Sequence, residues 1–332
     1  MTEPGHRITE LPILVLFPHN RCNCRCVMCD IWRIRQVREI TDVDLEPHVA
    51  SMRALNVKWI VFSGGEPLMH SDLPSLCRLL RREGIRLTLL TAGLTLETHT
   101  AAVAEWMDEV IVSLDGPSET HDHIRSVPHA FMRLERGIQA LRRLRPELPI
   151  RGRCTIQKKN FSLLCETVRT AHELHLNSIS FLAADVSSDA FNRPEGWPAE
   201  RQKGIALNEA EVDALDHEVE SLLRDYSEDI ESGFVVESAD KLRRISRHFR
   251  TQLGRADGVS PRCNAPWVSA VVESDGAVRP CFFHRPIGNI HSQTLVEVLN
   301  GNEALDFRRH LDVATDPICR NCVCSLFLER NE

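Results

Sequence analysis

Six short apolar segments alternate with helical patterns over the first 183 residues of this 332-residue chain. A short apolar run bounded by turn signals is typical of a buried strand, whereas apolar residues spaced three and four apart predict a helix. The predicted strands are 13–17, 58–62, 86–91, 109–113, 150–156 and 178–182. Such alternation favours a parallel sheet with right-handed crossovers. Six units fit an open, partial (β/α)6 barrel, whose site residues lie at the carboxyl ends of the strands.

Residues 184–206 interrupt the alternation, because they are rich in proline and glycine and show no period. A long loop inside a compact protein is often functional. This loop leaves the sixth strand at the predicted catalytic face, so we expect it to cover a substrate. Asp185, Asp189 and Trp197 are candidate substrate contacts, and a solvated loop is the alternative.

The remaining chain predicts a bridge and a second, smaller module. Helical patterns return at 208–226 and 239–253, and Ser274-Asp275-Gly276 is a hairpin signal between two strand-like segments, 268–273 and 277–283. The predicted parts are a barrel at 1–206, a helical bridge at 207–258 and a small α+β module with a β-hairpin at 259–332.

Composition narrows the function and the compartment. The net charge of −7 argues against nucleic-acid binding as the main function, and the arginine-rich stretches 33–38 and 142–153 are expected to be solvated helix faces. The twelve cysteines cluster near the two ends of the chain, which indicates metal binding in a reducing compartment rather than a disulfide framework. No basic segment precedes a cleavage site, and the apolar run 11–17 is too short to span a bilayer. We expect a cytoplasmic protein that does not act at a membrane.

A dense group of cysteines follows the first predicted strand. Cys22, Cys26 and Cys29 have C-x3-C-x2-C spacing, and Cys24 lies between them as a bystander. Three thiolates on one loop can hold three irons of a cubane cluster and leave the fourth iron open to a small molecule. Zinc is the alternative, although zinc sites prefer paired C-x2-C motifs. The spacing favours an iron–sulfur site.

A second group of cysteines surrounds the predicted hairpin. Cys263 and Cys281 flank it, and Cys319 and Cys322 form a C-x2-C pair near the end of the chain. Four thiolates can ligate every iron of a second cubane, or they can hold a structural zinc. The residues alone do not decide between an iron–sulfur cluster and a zinc ion. Cys324 could replace Cys322 as the fourth ligand.

Two glycines follow the second predicted strand, in the segment Gly64-Gly65-Glu66-Pro67. Glycines at such a position let the backbone approach a ligand closely, although an ordinary strand-to-helix turn is the alternative. Together with Cys22, Cys26 and Cys29, this segment resembles the signature of the radical SAM superfamily. The resemblance implies a [4Fe–4S] cluster whose open iron chelates S-adenosylmethionine (SAM), reductive cleavage of SAM to a 5′-deoxyadenosyl radical, and abstraction of a substrate hydrogen atom.

The same resemblance assigns further residues to SAM. It implies that residues 64–67 bind the methionyl amino group, and that Ser113, Arg125 and Asn160 are further SAM contacts. The family usually has Arg-Gly where this chain has Arg125-Ser126. A strand-end cap for Ser113 and a helix N-cap for Asn160 are the alternatives. A reducing partner such as a flavodoxin or ferredoxin is also implied.

The C-terminal cysteines resemble those of the twitch module, a shortened SPASM domain with one auxiliary [4Fe–4S] cluster. The resemblance selects Cys263, Cys281, Cys319 and Cys322 as its ligands. A fully ligated cluster is suited to electron transfer, which implies oxidation of a polar small molecule such as a sugar or aminocyclitol. The alternatives are a peptide-modifying maturase forming thioether or carbon–carbon crosslinks, a redox-neutral epimerase or decarboxylase, and, remotely, a zinc-stabilised binding protein. Polar candidates for catalysis are Asp185, Glu237 and His284.

Overall fold

The computed structural model describes residues 6–194 and 196–329. In this part of the chain, nine strands form one sheet in the order β6-β5-β4-β3-β2-β1-β7-β8-β9. The strands are β1 Ile13–Leu16, β2 Trp59–Phe62, β3 Arg86–Thr91, β4 Glu109–Ser113, β5 Ile150–Ile156, β6 Ser178–Ala183, β7 Ser269–Val272, β8 Ala277–Arg279 and β9 Gly288–Asn289. In this order, each neighbouring pair from β6 to β7 is parallel. The pairs β7–β8 and β8–β9 are antiparallel. The predicted α/β fold, with six parallel barrel strands followed by a hairpin module, is confirmed.

Helices connect the parallel strands, as right-handed crossovers require. They are α1 Asp42–Leu45, α2 Val49–Ala54, α3 Leu73–Arg82, α4 Thr100–Trp106, α5 Ser118–Arg125, α6 Ala130–Leu144, α7 Leu164–Glu173, α8 Ala199–Gln202, α9 Glu209–Asp225, α10 Ser227–Glu231, α11 Ala239–Gln252, α12 Ala265–Val268, α13 Leu295–Asn300, α14 Asn302–His310 and α15 Pro317–Arg320. The sequence predicts one helix where α1 and α2 lie. A 3-10 turn that contains Pro47 separates them, because proline restricts the residue before it and lacks a backbone donor.

The two faces of the barrel strands have different surroundings. Alternate residues such as Leu14, Ile60 and Val110 are fully buried in the hydrophobic core. Residues between them, such as Val61 and Ile111, line an interior cavity of about 430 Å³. This alternation follows from the period of two in a strand, and it makes the inner face available to a ligand.

The C-terminal hairpin extends the barrel sheet. β7 pairs in parallel with β1, from Ile13 opposite Ser269 to Leu16 opposite Val272, and β8 returns antiparallel to β7. The hairpin turn places Gly276 at a φ of +81°, a conformation that favours glycine. The predicted second strand, 277–283, is shorter in the structure and ends at Arg279, immediately before Pro280. Both strands therefore belong to the same sheet as the barrel.

The far side of the barrel is closed by α11, which packs against β6. Within the described residues, no helix combines the length and the apolar character that crossing a membrane requires. Residues 1–5 and 330–332 of the predicted outer domains, and residue 195 of the predicted covering loop, lie outside the described part of the chain.

Candidate functional site

The first cysteine loop leaves the carboxyl end of β1 and is held by neighbouring loops. The Arg25 amide donates to the Arg125 carbonyl at 3.1 Å, and the Val27 amide donates to the Ile124 carbonyl at 3.0 Å. Within the loop, the Cys29 amide donates to the Cys26 carbonyl at 3.2 Å. The backbone is thus fixed on both sides of Cys26 before any ligand binds.

The thiols of this loop form one packed group. The Cys24 thiol is buried and hydrogen-bonded to the thiols of Cys22 and Cys26, which raises its pKa far above the usual range. The hydrogen bond from Cys24 lowers the pKa of Cys26 to about 7 against the effect of burial, and Arg125 contributes in the same direction. A lowered pKa favours the thiolate, which is the form that binds metal. Burial raises the pKa of Cys29 to about 12. Cys24 is predicted from the sequence to be a bystander, but in the structure its thiol contacts the thiols of two predicted ligands.

Arg125 connects this thiol group to the end of β4. Its Nε donates to Asp115 Oδ2 at 2.6 Å, and its Nη1 lies 3.5 Å from Cys26 Sγ. Asn160 Nδ2 donates to the Asp115 carbonyl at 3.0 Å, and the His121 ring accepts from the Asp115 amide at 3.3 Å. Asp115 and His121 are fully buried. Asp115, which the sequence does not single out as a site residue, therefore organises two of the predicted SAM contacts.

The glycine segment after β2 packs directly on the cysteine loop. Gly64 has a φ of +98°, and a Cβ atom on Gly65 would lie 2.0 Å from the Arg21 carbonyl oxygen. The Glu66 carboxylate is buried and accepts hydrogen bonds from Thr91 Oγ1 and the Ala92 amide, each at 2.7 Å. Burial raises its pKa. The Glu66 side chain thus ties this segment to the end of β3, and the predicted binding of SAM by residues 64–67 stays a prediction, as it does for Ser113, Arg125 and Asn160.

The covering loop is fastened to the residue that follows Cys29. Asp30 accepts from both terminal nitrogens of Arg201 at 2.6 Å and from Trp197 Nε1 at 2.7 Å. These hydrogen bonds outweigh burial and lower the pKa of Asp30. Inside the loop, Asp185 forms a buried ion pair with Arg193, whereas Asp189 is exposed. Asp185 and Trp197 therefore shape the loop and hold it to the cysteine segment.

The second group of cysteines lines the interior cavity. Five thiols contribute to its wall, those of Cys263, Cys281, Cys319, Cys322 and Cys324. Burial, with further contributions from neighbouring groups, raises the pKa of Cys319 to about 12 and that of Cys324 to about 11, and raises that of Cys322 beyond the usual range. Crowded thiolates repel one another unless a cation lies between them. The structure brings the four predicted ligands together with the substitute, Cys324.

His284 and Glu237 both line this cavity. His284 Nε2 lies 3.5 Å from Cys319 Sγ and 3.8 Å from Asp316 Oδ1, and burial lowers the pKa of the imidazole. Glu237 Oε2 accepts from the Phe181 amide at 2.8 Å, and burial raises its pKa. His284 therefore adjoins the second cysteine group, and Glu237 lies beside β6.

Models of two protein families match this chain. The model of the radical SAM superfamily matches residues 16–180, and that of the SPASM iron–sulfur cluster-binding domain matches residues 263–323. The chain belongs to the radical SAM superfamily. The two domains imply SAM and two [4Fe–4S] clusters as cofactors, in agreement with the sequence prediction.

Individual relatives agree with this membership. The chain is 32% identical over 158 residues to an AdoMet-dependent heme synthase of Methanosarcina barkeri, an alignment that covers 46% of this chain and 45% of the relative. The aligned region thus spans less than half of that relative's length. The structure of native anSMEcpe with bound AdoMet has a TM-score of 0.66 and 20% identity, with 93% of this chain and 86% of the other covered. That of Streptococcus suis SuiB bound to precursor peptide SuiA has a TM-score of 0.65 and 14% identity, with 96% and 72% covered. These likenesses support the radical SAM fold.

The donor sets fit the cofactors of a radical SAM protein. Cys22, Cys26 and Cys29 supply three soft thiolate ligands on one loop, and Cys26 is already biased toward the thiolate. The crowded second group offers at least four thiols in one cavity wall. We infer that the first three would hold the SAM-binding cluster, and that Cys263, Cys281, Cys319 and Cys322 would hold the auxiliary cluster.

Proposed function

We propose that this radical SAM protein oxidises a substrate bound in the interior cavity. The SAM cluster on Cys22, Cys26 and Cys29 would, with SAM, supply a 5′-deoxyadenosyl radical that takes a hydrogen atom from the substrate, and the auxiliary cluster on the second group of cysteines would accept the second electron. A proton leaves to complete the two-electron oxidation. The observation that carries this proposal is the cavity itself, because one space is bounded by the barrel's inner face and by the second cysteine group.

The residues around the cavity support distinct parts of this reaction. The loop fastened through Asp30 packs against the first cysteine segment and would exclude water from that part of the site. Glu237 is a candidate proton acceptor, because it lines the cavity and burial raises its pKa toward the range useful for a base at neutral pH. His284 instead adjoins Cys319, so we assign it to the auxiliary cluster's surroundings.

A polar small molecule such as a sugar or aminocyclitol stays a predicted substrate. The lining of the cavity is largely apolar, however, so it supports a substrate that has a substantial apolar part beside its polar groups. The match to the heme synthase covers less than half of either chain, so the name of that relative does not identify the substrate of this chain.

Peptide modification and a redox-neutral epimerisation or decarboxylation are the alternatives. SuiB, which was solved with a precursor peptide, shares this fold, but a shared fold does not select a substrate. The oxidation requires an auxiliary electron acceptor, whereas the redox-neutral reactions do not.

The metal content of anaerobically reconstituted protein tests the proposal. We expect about eight irons per chain in the unchanged protein and about four after Cys22, Cys26 and Cys29 are all replaced by alanine. Cys281→Ala should still form 5′-deoxyadenosine from SAM with dithionite but should not give an oxidised product. Cys165→Ala, on α7, is the matched control and should retain all the iron. Zinc in place of half the iron, or an oxidised product from Cys281→Ala, would overturn the role of the auxiliary cluster.

A further inference from the structure

The barrel interior contains an arginine that forms no ion pair with a described carboxylate. Arg153 lies in β5 and lines the cavity, where it is exposed. Among the described residues, its side chain makes one hydrogen bond, from Nε to Ser180 Oγ at 3.4 Å. Arg151, two residues earlier, instead forms an ion pair with Glu109 and donates to Ser178. Among the described residues, no carboxylate forms an ion pair with Arg153.

The helix α11 adds more cations to the same wall. Lys241 and Arg244 line the cavity without an ion pair to any described residue. In contrast, Arg243 on this helix pairs with Glu220, and Arg250 pairs with Asp213 and Asp216. Arg247, which also lines the cavity, donates to the Asp257 carbonyl at 3.4 Å, so α11 presents three cations without an ion pair to the space that Arg153 lines.

Protein carboxylates balance these cations only in part, through the electrostatic interaction of Glu237 with Arg153 and Lys241. Of the described residues that line the cavity, Glu237 is the one carboxylate, and burial raises its pKa. The rest of the wall is mainly apolar, including Trp59, Phe181 and Phe282. A positive charge beside an apolar surface attracts an anion more strongly than the same charge in open water.

We propose that Arg153, Lys241 and Arg244 form a binding subsite for a carboxylate on a largely apolar substrate. The planar guanidinium of Arg153 matches a carboxylate in a two-point contact, and the ammonium of Lys241 adds a second charge. The apolar wall holds the rest of the molecule. This inference rests on the proposed function, because it takes the cavity to be the substrate site.

Three small ligands of matched shape test the subsite. The probes are 2-naphthoate, its neutral amide 2-naphthamide, and 2-naphthyl phosphate. Each is dialysed to equilibrium against the protein with both clusters and saturating SAM, without reductant, and the free probe is measured in the protein-free chamber. We expect the protein to bind 2-naphthoate about tenfold more tightly than 2-naphthamide, since a charge-assisted hydrogen bond supports a preference of that size.

The variants assign that preference to named residues. Arg153→Gln should bring the ratio of the two affinities close to one and leave the affinity for 2-naphthamide unchanged, which shows that the cavity is intact. Lys241→Gln should reduce the ratio in part. Arg243→Gln, on the solvent-facing side of α11, is the matched control and should keep the full ratio.

Three results would overturn the subsite: equal affinities for the acid and the amide, an undiminished ratio in Arg153→Gln, or tighter binding of the phosphate than of the carboxylate. No turnover occurs in this measurement. A failed oxidation test with a preserved acid preference would therefore refute the proposed reaction alone, and the opposite pair of results would refute the subsite alone.

Discussion

At the scale of single residues, the ion pair of Arg125 and Asp115 links the end of β4 to the thiol of Cys26. The Asp115 side chain is fully buried, and that of Arg125 is 9% exposed. Removing one partner leaves the other charge buried without compensation, whereas removing both charges costs less. We expect Arg125→Gln to lower the free energy of unfolding by about 3 kcal/mol, measured by chemical denaturation.

A double-mutant cycle checks this interpretation. Asp115→Asn combined with Arg125→Gln should recover a large part of the loss, because no unpaired charge then remains. Strictly additive losses in the double variant would show that the pair does not stabilise the protein through its charges.

His121 gives the protein a defined sensitivity to acid. Burial lowers the pKa of this histidine to about 4, well below the usual 6.5. The unfolded chain therefore takes up the proton first, and the free energy of unfolding should fall by about 3 kcal/mol as the pH drops from about 6.5 to about 4. His248, whose pKa burial also lowers to about 4, acts in the same direction.

Denaturation at a series of pH values isolates the contribution of His121 to the loss of stability in acid. His121→Gln should show a smaller loss between pH 6.5 and pH 4 than the unchanged protein does, whatever its stability at neutral pH. His310→Gln, at an exposed position, is the control and should follow the unchanged protein. A variant at His121 that is as acid-sensitive as the parent would contradict the assignment.

At the scale of elements, the glycine segment after β2 fixes how closely the cysteine loop can approach. A side chain on Gly65 would collide with the backbone of Arg21, which cannot rotate away as a flexible side chain can. We expect Gly65→Ala to displace the loop, to lower the iron content by about half, and to destabilise the protein by about 2 kcal/mol. Iron analysis and chemical denaturation measure the two effects.

Gly84 offers the matched control for this substitution. It has a φ of +69°, but a Cβ atom there would meet nothing within 4 Å. Gly84→Ala should therefore cost about 1 kcal/mol from backbone strain and leave the iron content unchanged. Equal iron content in the two variants would show that the Gly65 contact does not position the loop.

The strands could be predicted from the sequence because their apolar runs end at clear turn signals. The bounds of β3, β4 and β5 agree with the prediction, since a glycine or proline lies within three residues of an end of each run. Helix α5 was not predicted, because its sequence SETHDHIR contains a single apolar residue, Ile124. It is held by buried polar side chains, whose partners lie in other elements.

The site was predictable where residues close in sequence carry the chemistry. The spacing of Cys22, Cys26 and Cys29 suffices to indicate that they bind one metal cluster together. Arg153 gives no such signal, because an arginine in a strand can face the core, the solvent or a cavity, and only the paired register of β5 and β6 decides among them. Asp30 likewise gains its role from Arg201, which lies 171 residues away.

At the scale of the whole molecule, the C-terminal hairpin stabilises the barrel. β7 covers one edge of β1, and the Asn300 side chain exchanges hydrogen bonds with the backbone of Ile8 at 2.8 and 2.9 Å. A chain that ends at residue 258 would expose the paired edge of β1, and exposed strand edges promote aggregation. We expect this shortened chain to aggregate during size-exclusion chromatography and to lose its cooperative thermal transition.

A point substitution separates the effect of the hairpin on stability from the effect of the metal that its cysteines are predicted to bind. Cys281→Ser removes one predicted cluster ligand but keeps β7 and β8, so it should remain monodisperse and unfold in one transition. A shortened chain that folds as cooperatively as the full one would show that the barrel does not need the hairpin.

The pairing of β1 with β7 also has a consequence for synthesis on the ribosome. β7 is translated roughly 250 residues after β1. At about 5–20 residues per second, this delay lasts on the order of 10 to 50 s. Contacts between such distant segments form slowly, because a long loop must close before they are made. The nascent chain therefore carries an unpaired strand edge until β7 is made, and during that time pairing with another chain competes with folding.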